Sequence, residues 1–176
     1  MRLFYALLPS EREKQQLQMQ QRKISAVAES GRDTATENLH MTLQFLGEVP
    51  PERLGLLKKI LTQAAQNMRP FSITLRDYGW FAGKGQERLW YLTGSSPEAA
   101  ALSEKLGEAL KQNGFAVENR EFLPHITLVR RCRMPEGVLP EPPEPVTIQA
   151  QRVWLMESRR IRGSVVYVPI FHVRLI

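Results

Sequence analysis

Two short motifs are the residues of this chain best suited to chemistry: His40-Met41-Thr42 and His125-Ile126-Thr127. An imidazole changes charge near neutral pH, so one can sit neutral and take a proton while another sits charged and gives one. Two of them flanking a phosphoryl group suit acid–base phosphoester chemistry, each proton transfer contributing roughly 10²–10⁴-fold. In a strand, residues i and i+2 share a face, so each motif presents an imidazole and a hydroxyl together. The Thr42 and Thr127 hydroxyls are then placed to donate to non-bridging phosphoryl oxygens as charge develops there. Leu39, Met41 and Leu43, with Pro124, Ile126 and Leu128, fall on the opposite faces and must meet helices. A single strand histidine is an ordinary structural residue; the information lies in the pair.

The elements that position the pair are written twice. Arg2-Leu3-Phe4-Tyr5 and Arg88-Leu89-Trp90-Tyr91 open similar stretches, and the two His-x-Thr-Leu motifs lie at a matching separation of roughly 85 residues. A helix follows each opening. Ser10 and Glu13 form a capping box, with Leu17, Ile24 and Val27 on one face. Ser96 caps the second helix, Pro97 takes its first position, and Ala99, Leu102, Leu106 and Leu110 make its stripe up to Asn113-Gly114. After its motif the first copy predicts a helix over Pro51–Gln66, with Leu54, Leu57 and Leu61 inward. The second copy has Met134 to Pro145 there, whose five prolines forbid a helix and predict a surface loop. Strands are expected near Phe71–Asp77, Val146–Leu155 and Val165–Leu175. The fold class is therefore α+β: duplicated strand–helix–strand lobes with pseudo-twofold symmetry, and antiparallel sheets lining a central cleft. Residues 1–176 are expected to form a single bilobal domain, with internal repeats over roughly 1–86 and 87–176.

Bulk properties narrow the class. The 176 residues suffice for a buried core, and 43% hydrophobic with 24% charged residues is ordinary for a globular protein. No apolar run reaches the roughly 18 residues of a membrane span. The Met1–Pro9 run lacks a small-residue cleavage site and reads as a first strand, so the expected location is the cytoplasm. The net charge of +6 favours anionic partners. One cysteine, Cys132, excludes an intrachain disulfide and a Cys-rich metal site. His-x-Thr is not a metal-ligand pair either, so no metal and no cofactor are expected.

Paired His-x-Thr motifs in a duplicated chain of this length resemble the 2H phosphoesterase superfamily, and within it the bacterial RNA 2′,3′-cyclic phosphodiesterases, historically called 2′-5′ RNA ligases. The likeness rests on Arg2-Leu3-Phe4, on Asn38-Leu39-His40-Met41-Thr42-Leu43-Gln44-Phe45-Leu46-Gly47, on Pro124-His125-Ile126-Thr127-Leu128-Val129-Arg130, and on Leu155-Met156-Glu157-Ser158 followed by Tyr167. It implies metal-independent hydrolysis of RNA 2′,3′-cyclic phosphate ends to 2′-phosphate ends, with reversal to 2′-5′ ligation. It implies His40 and His125 as the catalytic pair; His40 as acid and His125 as base is the assignment taken here, since a near-symmetric site gives the sequence little to choose with. Thr42, Thr127 and Arg130 would bind phosphate, and Phe45 would stack on a base. Simple alternation puts Phe45 and Arg130 on the core face, so they reach a cleft only where the strands end, twist or bulge.

Two other readings stay open: a phosphoesterase acting on small cyclic nucleotides such as a cyclic phosphate of ADP-ribose, and a non-catalytic module that binds RNA ends. The expected partners are RNA or small nucleotides, with no membrane and no obligate protein partner, and the chain is expected to be a monomer. Arg159, Arg160 and Arg162 are expected at a basic rim or a solvated turn, and Gly83-Lys84-Gly85 at the turn before Arg88. Trp80, Trp90 and Trp154 are expected in the core, and His172 in the last strand without a role.

Overall fold

A computed structural model describes residues 1–176. Its strands are β1 (Arg2–Leu7), β2 (Ser30–Asp33), β3 (Met41–Glu48), β4 (Phe71–Leu75), β5 (Asp77–Ala82), β6 (Arg88–Thr93), β7 (His125–Arg133), β8 (Val146–Ala150), β9 (Arg152–Ile161) and β10 (Ser164–Arg174). The helices are α1 (Glu11–Ser25), α2 (Leu54–Ala65) and α3 (Pro97–Gln112). Every strand pairing is antiparallel, in sheets ordered β10-β9-β1-β3 and β2-β7-β6-β5 and a short β4-β8 pair. The expected α+β class with antiparallel sheets is the observed one. No helix is long and apolar enough to cross a membrane.

Local signals account for the helices. The Ser10–Glu13 box is closed in both directions, with Glu13 N donating to Ser10 Oγ and Ser10 N to Glu13 Oε1, an arrangement worth about 1 kcal/mol. Ser96 Oγ accepts from Ala99 N ahead of the Ala99, Leu102, Leu106 and Leu110 stripe, all fully buried. α1 stops at Ser25, so Val27 lies beyond it. The run from Pro51 opens with a single 3-10 turn, Arg53 N donating to Pro50 O, before α2. Two expected strands are each a pair: Arg76 separates β4 from β5, and Gln151 separates β8 from β9.

The sheets are not the halves of the chain. β9, from the second half, pairs with β1 and carries β10 on its outer edge, completing the first sheet. β2 and β5, from the first half, flank β7 and β6. A cluster of 32 buried residues runs without a break through both sheets and all three helices. The duplication has one phase, set by the pairing: Ala6 lies opposite Thr42 as Tyr91 lies opposite Thr127. The Arg-Leu-aromatic-Tyr likeness is one residue out of that phase. In β1, Leu3, Tyr5 and Leu7 enter the core, whereas in β6 Trp90 and Leu92 do so and Tyr91 turns towards His125.

Candidate active site

Each histidine is held by backbone geometry before its side-chain partners act. His40 lies between the 3-10 turn Thr36–Asn38 and β3, and His125 opens β7. Nδ1 of His40 lies 2.7 Å from the Asn38 carbonyl oxygen, and Nδ1 of His125 lies 2.7 Å from that of Leu123. A carbonyl only accepts, so Nδ1 carries the proton in both rings and Nε2 is left to face a ligand. The Asn38 side chain anchors the first holder: its Nδ2 donates to Val165 O and its Oδ1 accepts from Tyr167 N. Thr42 Oγ1 lies 2.9 Å from His40 Nε2. With Nδ1 protonated, the hydroxyl donates to the neutral ring nitrogen. Leu39, Met41, Leu43, Ile126 and Leu128 are buried on the other face, as alternation requires.

Aromatic walls flank both rings, and sequence reasoning found few of them. Phe4 lies 5.0 Å and Tyr167 4.8 Å from the His40 ring, Tyr167 edge-on. Tyr91 lies 5.2 Å and Phe81 5.6 Å from the His125 ring. Tyr91 fits there because residue 79 is glycine: a Cβ at that position would stand 2.3 Å from the Tyr91 ring. Phe81 and Tyr91 carried no signal, since nothing in the sequence says that β5 joins the sheet of β6.

A bulge in each motif strand decides where Phe45 and Arg130 point. Pairing steps from Ala6–Thr42 to Tyr5–Gln44, and from Tyr91–Thr127 to Trp90–Val129. Leu43 and Leu128 are therefore the extra residues, at equivalent places. Beyond each, the alternation inverts. Leu128 and Val129 are both buried in sequence, and Arg130 emerges on the face of His125 and Thr127. Phe45 likewise emerges 43% exposed, stacked on Phe4 at 5.9 Å with the Arg2 guanidinium over it. Buried polar side chains hold the displaced carbonyls. Ser103 Oγ donates to Leu43 O at 2.7 Å, and Gln21 Nε2 donates to Leu128 O at 2.8 Å. Each donor comes from the helix of the opposite half of the chain: α3 steadies the His40 strand and α1 the His125 strand.

The electrostatics favour neutral imidazoles in the empty site. Burial pushes His40 down to about 4, against a raising contribution from the Asn38 carbonyl, with the Arg130 and His125 charges lowering it further. Burial also lowers His125, again with Arg130 acting in the same direction. Arg130 thus lies within electrostatic reach of both rings, which brings His40, His125 and Arg130 to one locus. A site needing one charged and one neutral histidine then has a kcat/KM optimum bounded by two values below 6.5, so activity per free enzyme falls as pH rises through neutrality. Arg130→Gln removes a cation that lowers both groups, so the alkaline limb of the kcat/KM profile is expected to move to higher pH. A profile that loses height without moving would show that Arg130 does not act on the pair.

The remaining sequence candidates lie apart from this locus. Cys132 is buried in the core, and burial raises its thiol pKa. Trp90 is core, as expected, but Trp80 is 45% exposed beneath the Arg88 guanidinium at 3.7 Å, because β5 is an edge strand with a solvent face. Trp154 packs half-buried with Phe4 and Ala6 rather than in the main core, and exposed His172 stacks on it at 4.5 Å. Arg159 pairs with Glu157, while Arg160 and Arg162 sit at the β9–β10 turn. Gly83-Lys84-Gly85 makes the β5–β6 turn. No group of three or more His, Cys, Asp or Glu side chains is placed to hold a metal ion.

Comparison with known proteins places this geometry among relatives. The family model of the 2′-5′ RNA ligase superfamily matches residues 9–162. An RNA 2′,3′-cyclic phosphodiesterase of Geobacillus stearothermophilus is 36% identical over 110 residues, 61% of this chain and 34% of that protein, so the match spans about a third of the relative's length. The RNA 2′,3′-cyclic phosphodiesterase of Escherichia coli (strain K12) is 33% identical over 175 residues, covering 96% of this chain and 93% of that one. The crystal structure of the Thermus thermophilus protein TT0787 superposes with a TM-score of 0.87 at 27% identity, covering 99% of this chain and 98% of that chain.

Proposed function

The chain belongs to the 2′-5′ RNA ligase superfamily, and from that premise we propose that it hydrolyses RNA 2′,3′-cyclic phosphate ends to 2′-phosphate ends by metal-independent two-histidine catalysis. The observation that carries the reading is the matched tethering of His40 and His125. Both have Nδ1 2.7 Å from the carbonyl two residues earlier, which leaves His125 Nε2 open to a ligand and His40 Nε2 on the Thr42 hydroxyl, a bond that a bound phosphate would replace. His125 Nε2 takes a proton from water as the oxygen attacks phosphorus. The P–O3′ bond breaks, and His40 Nε2–H delivers its proton to the departing O3′. Thr42, Thr127 and Arg130 hold the non-bridging oxygens, and Phe45 offers its exposed ring to the terminal base. The reverse reaction, with an RNA hydroxyl attacking in place of water, gives a 2′-5′ linkage.

His40 is charged in the working complex because the bound phosphate anion opposes the burial that keeps it neutral in the empty site. Both walls come from one chain, which supports a monomer of residues 1–176 acting as one bilobal unit without a protein partner. A lone buried cysteine fits a cytoplasmic setting. The test is incubation with EDTA and an RNA oligonucleotide ending in a 2′,3′-cyclic phosphate. A 2′-phosphate product supports the reading. Intact RNA alongside turnover of a mononucleoside cyclic phosphate would replace it with the small-nucleotide reading, and binding without turnover of either would replace it with the RNA-end-binding module.

A further inference from the structure

We infer that Arg32, on the edge strand β2, binds a second phosphate of the RNA backbone, so that the site engages a polynucleotide rather than its terminal nucleotide alone. This inference rests on the cyclic phosphodiesterase reading and specifies its substrate class. Residue 32 lies directly opposite Arg130 in the β2–β7 pairing. Cross-strand partners share a face, and like charges placed so cost stability unless an anion joins them. Gly31 fixes which face is involved. A Cβ there would stand 2.9 Å from the side chain of Val129, a core residue, so Gly31 points into the core and Arg32 points the other way, with Arg130.

Arg131, the next residue of β7, pairs with Glu87. Arg32 and Arg130 are both exposed, and neither makes an ion pair or a side-chain hydrogen bond. Two unneutralised guanidiniums one strand apart, about 5 Å at the backbone, form a cationic step from the catalytic locus to the sheet edge. The ligand matching such a step is a chain of phosphodiesters. A mononucleotide whose single phosphate sits at Arg130 leaves Arg32 unmatched, whereas one phosphate shared by both guanidiniums would make Arg32→Gln weaken both probes equally.

The test measures equilibrium binding of two non-reactive probes, an RNA decamer ending in a 2′-phosphate and a nucleoside 2′-monophosphate, across a salt series. Arg32→Gln is expected to weaken the decamer roughly tenfold at low salt and to reduce the slope of log affinity against log salt by about 0.7, the value for one contact on a single strand. Mononucleotide affinity is unchanged, and Arg32→Lys restores the slope. An unaltered decamer slope, or an equal loss on both probes, overturns the inference. Because neither probe is turned over, the result stands apart from the hydrolysis assay, whose failure would instead remove the catalytic reading.

Discussion

Replacing either His40 or His125 with alanine is expected to lower kcat on a cyclic-phosphate RNA by roughly 10²–10⁴-fold, with the double variant little worse than the poorer single one. The reaction moves two protons in one passage over the barrier. Losing either group leaves attack without a base or departure without an acid, and the surviving imidazole cannot serve at both ends. Both side chains are only half-buried, so their removal leaves the 32-residue core intact. Thermal melting of both variants should therefore stay close to that of the parent, and affinity for a 2′-phosphate end should fall far less than kcat. A single variant keeping more than a tenth of the parent kcat would show that its histidine does not transfer a proton.

Cutting the chain between residues 86 and 87 is expected to leave neither half folded, although each carries one full copy of the duplication. Residues 1–86 would keep β1 beside β3 but lose β9 from its other edge. β4 would have no partner, and neither would β5 nor β2. Residues 87–176 would retain a β6–β7 pair and a β9–β10 pair with no strand of the first half between or beside them. Two isolated strands are at best marginal in water, and Leu128 O would lose its Gln21 donor. Circular dichroism should show no cooperative melting for either half alone, and a native-like transition when the two are mixed. A cooperative transition in one half by itself would establish that half as an independent domain.

Much of the candidate site was legible because period-two alternation is local: His40, Thr42, His125 and Thr127 needed only their own strands. The α1 and α3 starts were equally local, each written in a cap and a stripe. What could not be read required knowledge of partners. β2 is four exposed residues, Ser30 to Asp33, with no apolar pattern, and it exists because β7 offers it an edge. The exchange of strands between halves leaves no trace in composition. The likeness of Arg2-Leu3-Phe4-Tyr5 to Arg88-Leu89-Trp90-Tyr91 pointed one residue away from the true equivalence, because residue type is a weaker guide to facing than pairing is. The inversion at Leu43 and Leu128 is set by side chains far along the chain, Ser103 and Gln21, so strict alternation misplaced Phe45 and Arg130.

Those two bulges have a further consequence. They bring Phe45 and Arg130 to equivalent places in the two motif strands, where a perfect twofold would demand the same residue. Up to that point the walls match, imidazole against imidazole and hydroxyl against hydroxyl, and a symmetric vessel cannot distinguish the two ester oxygens of a phosphodiester. An uncharged ring at one place and a guanidinium at its equivalent remove that indifference. A ligand with a base at one end and charge at the other is then expected to fit in only one orientation, and handedness enters a duplicated scaffold through unmatched equivalents, Phe45 with Arg130 and Ala6 with Tyr91.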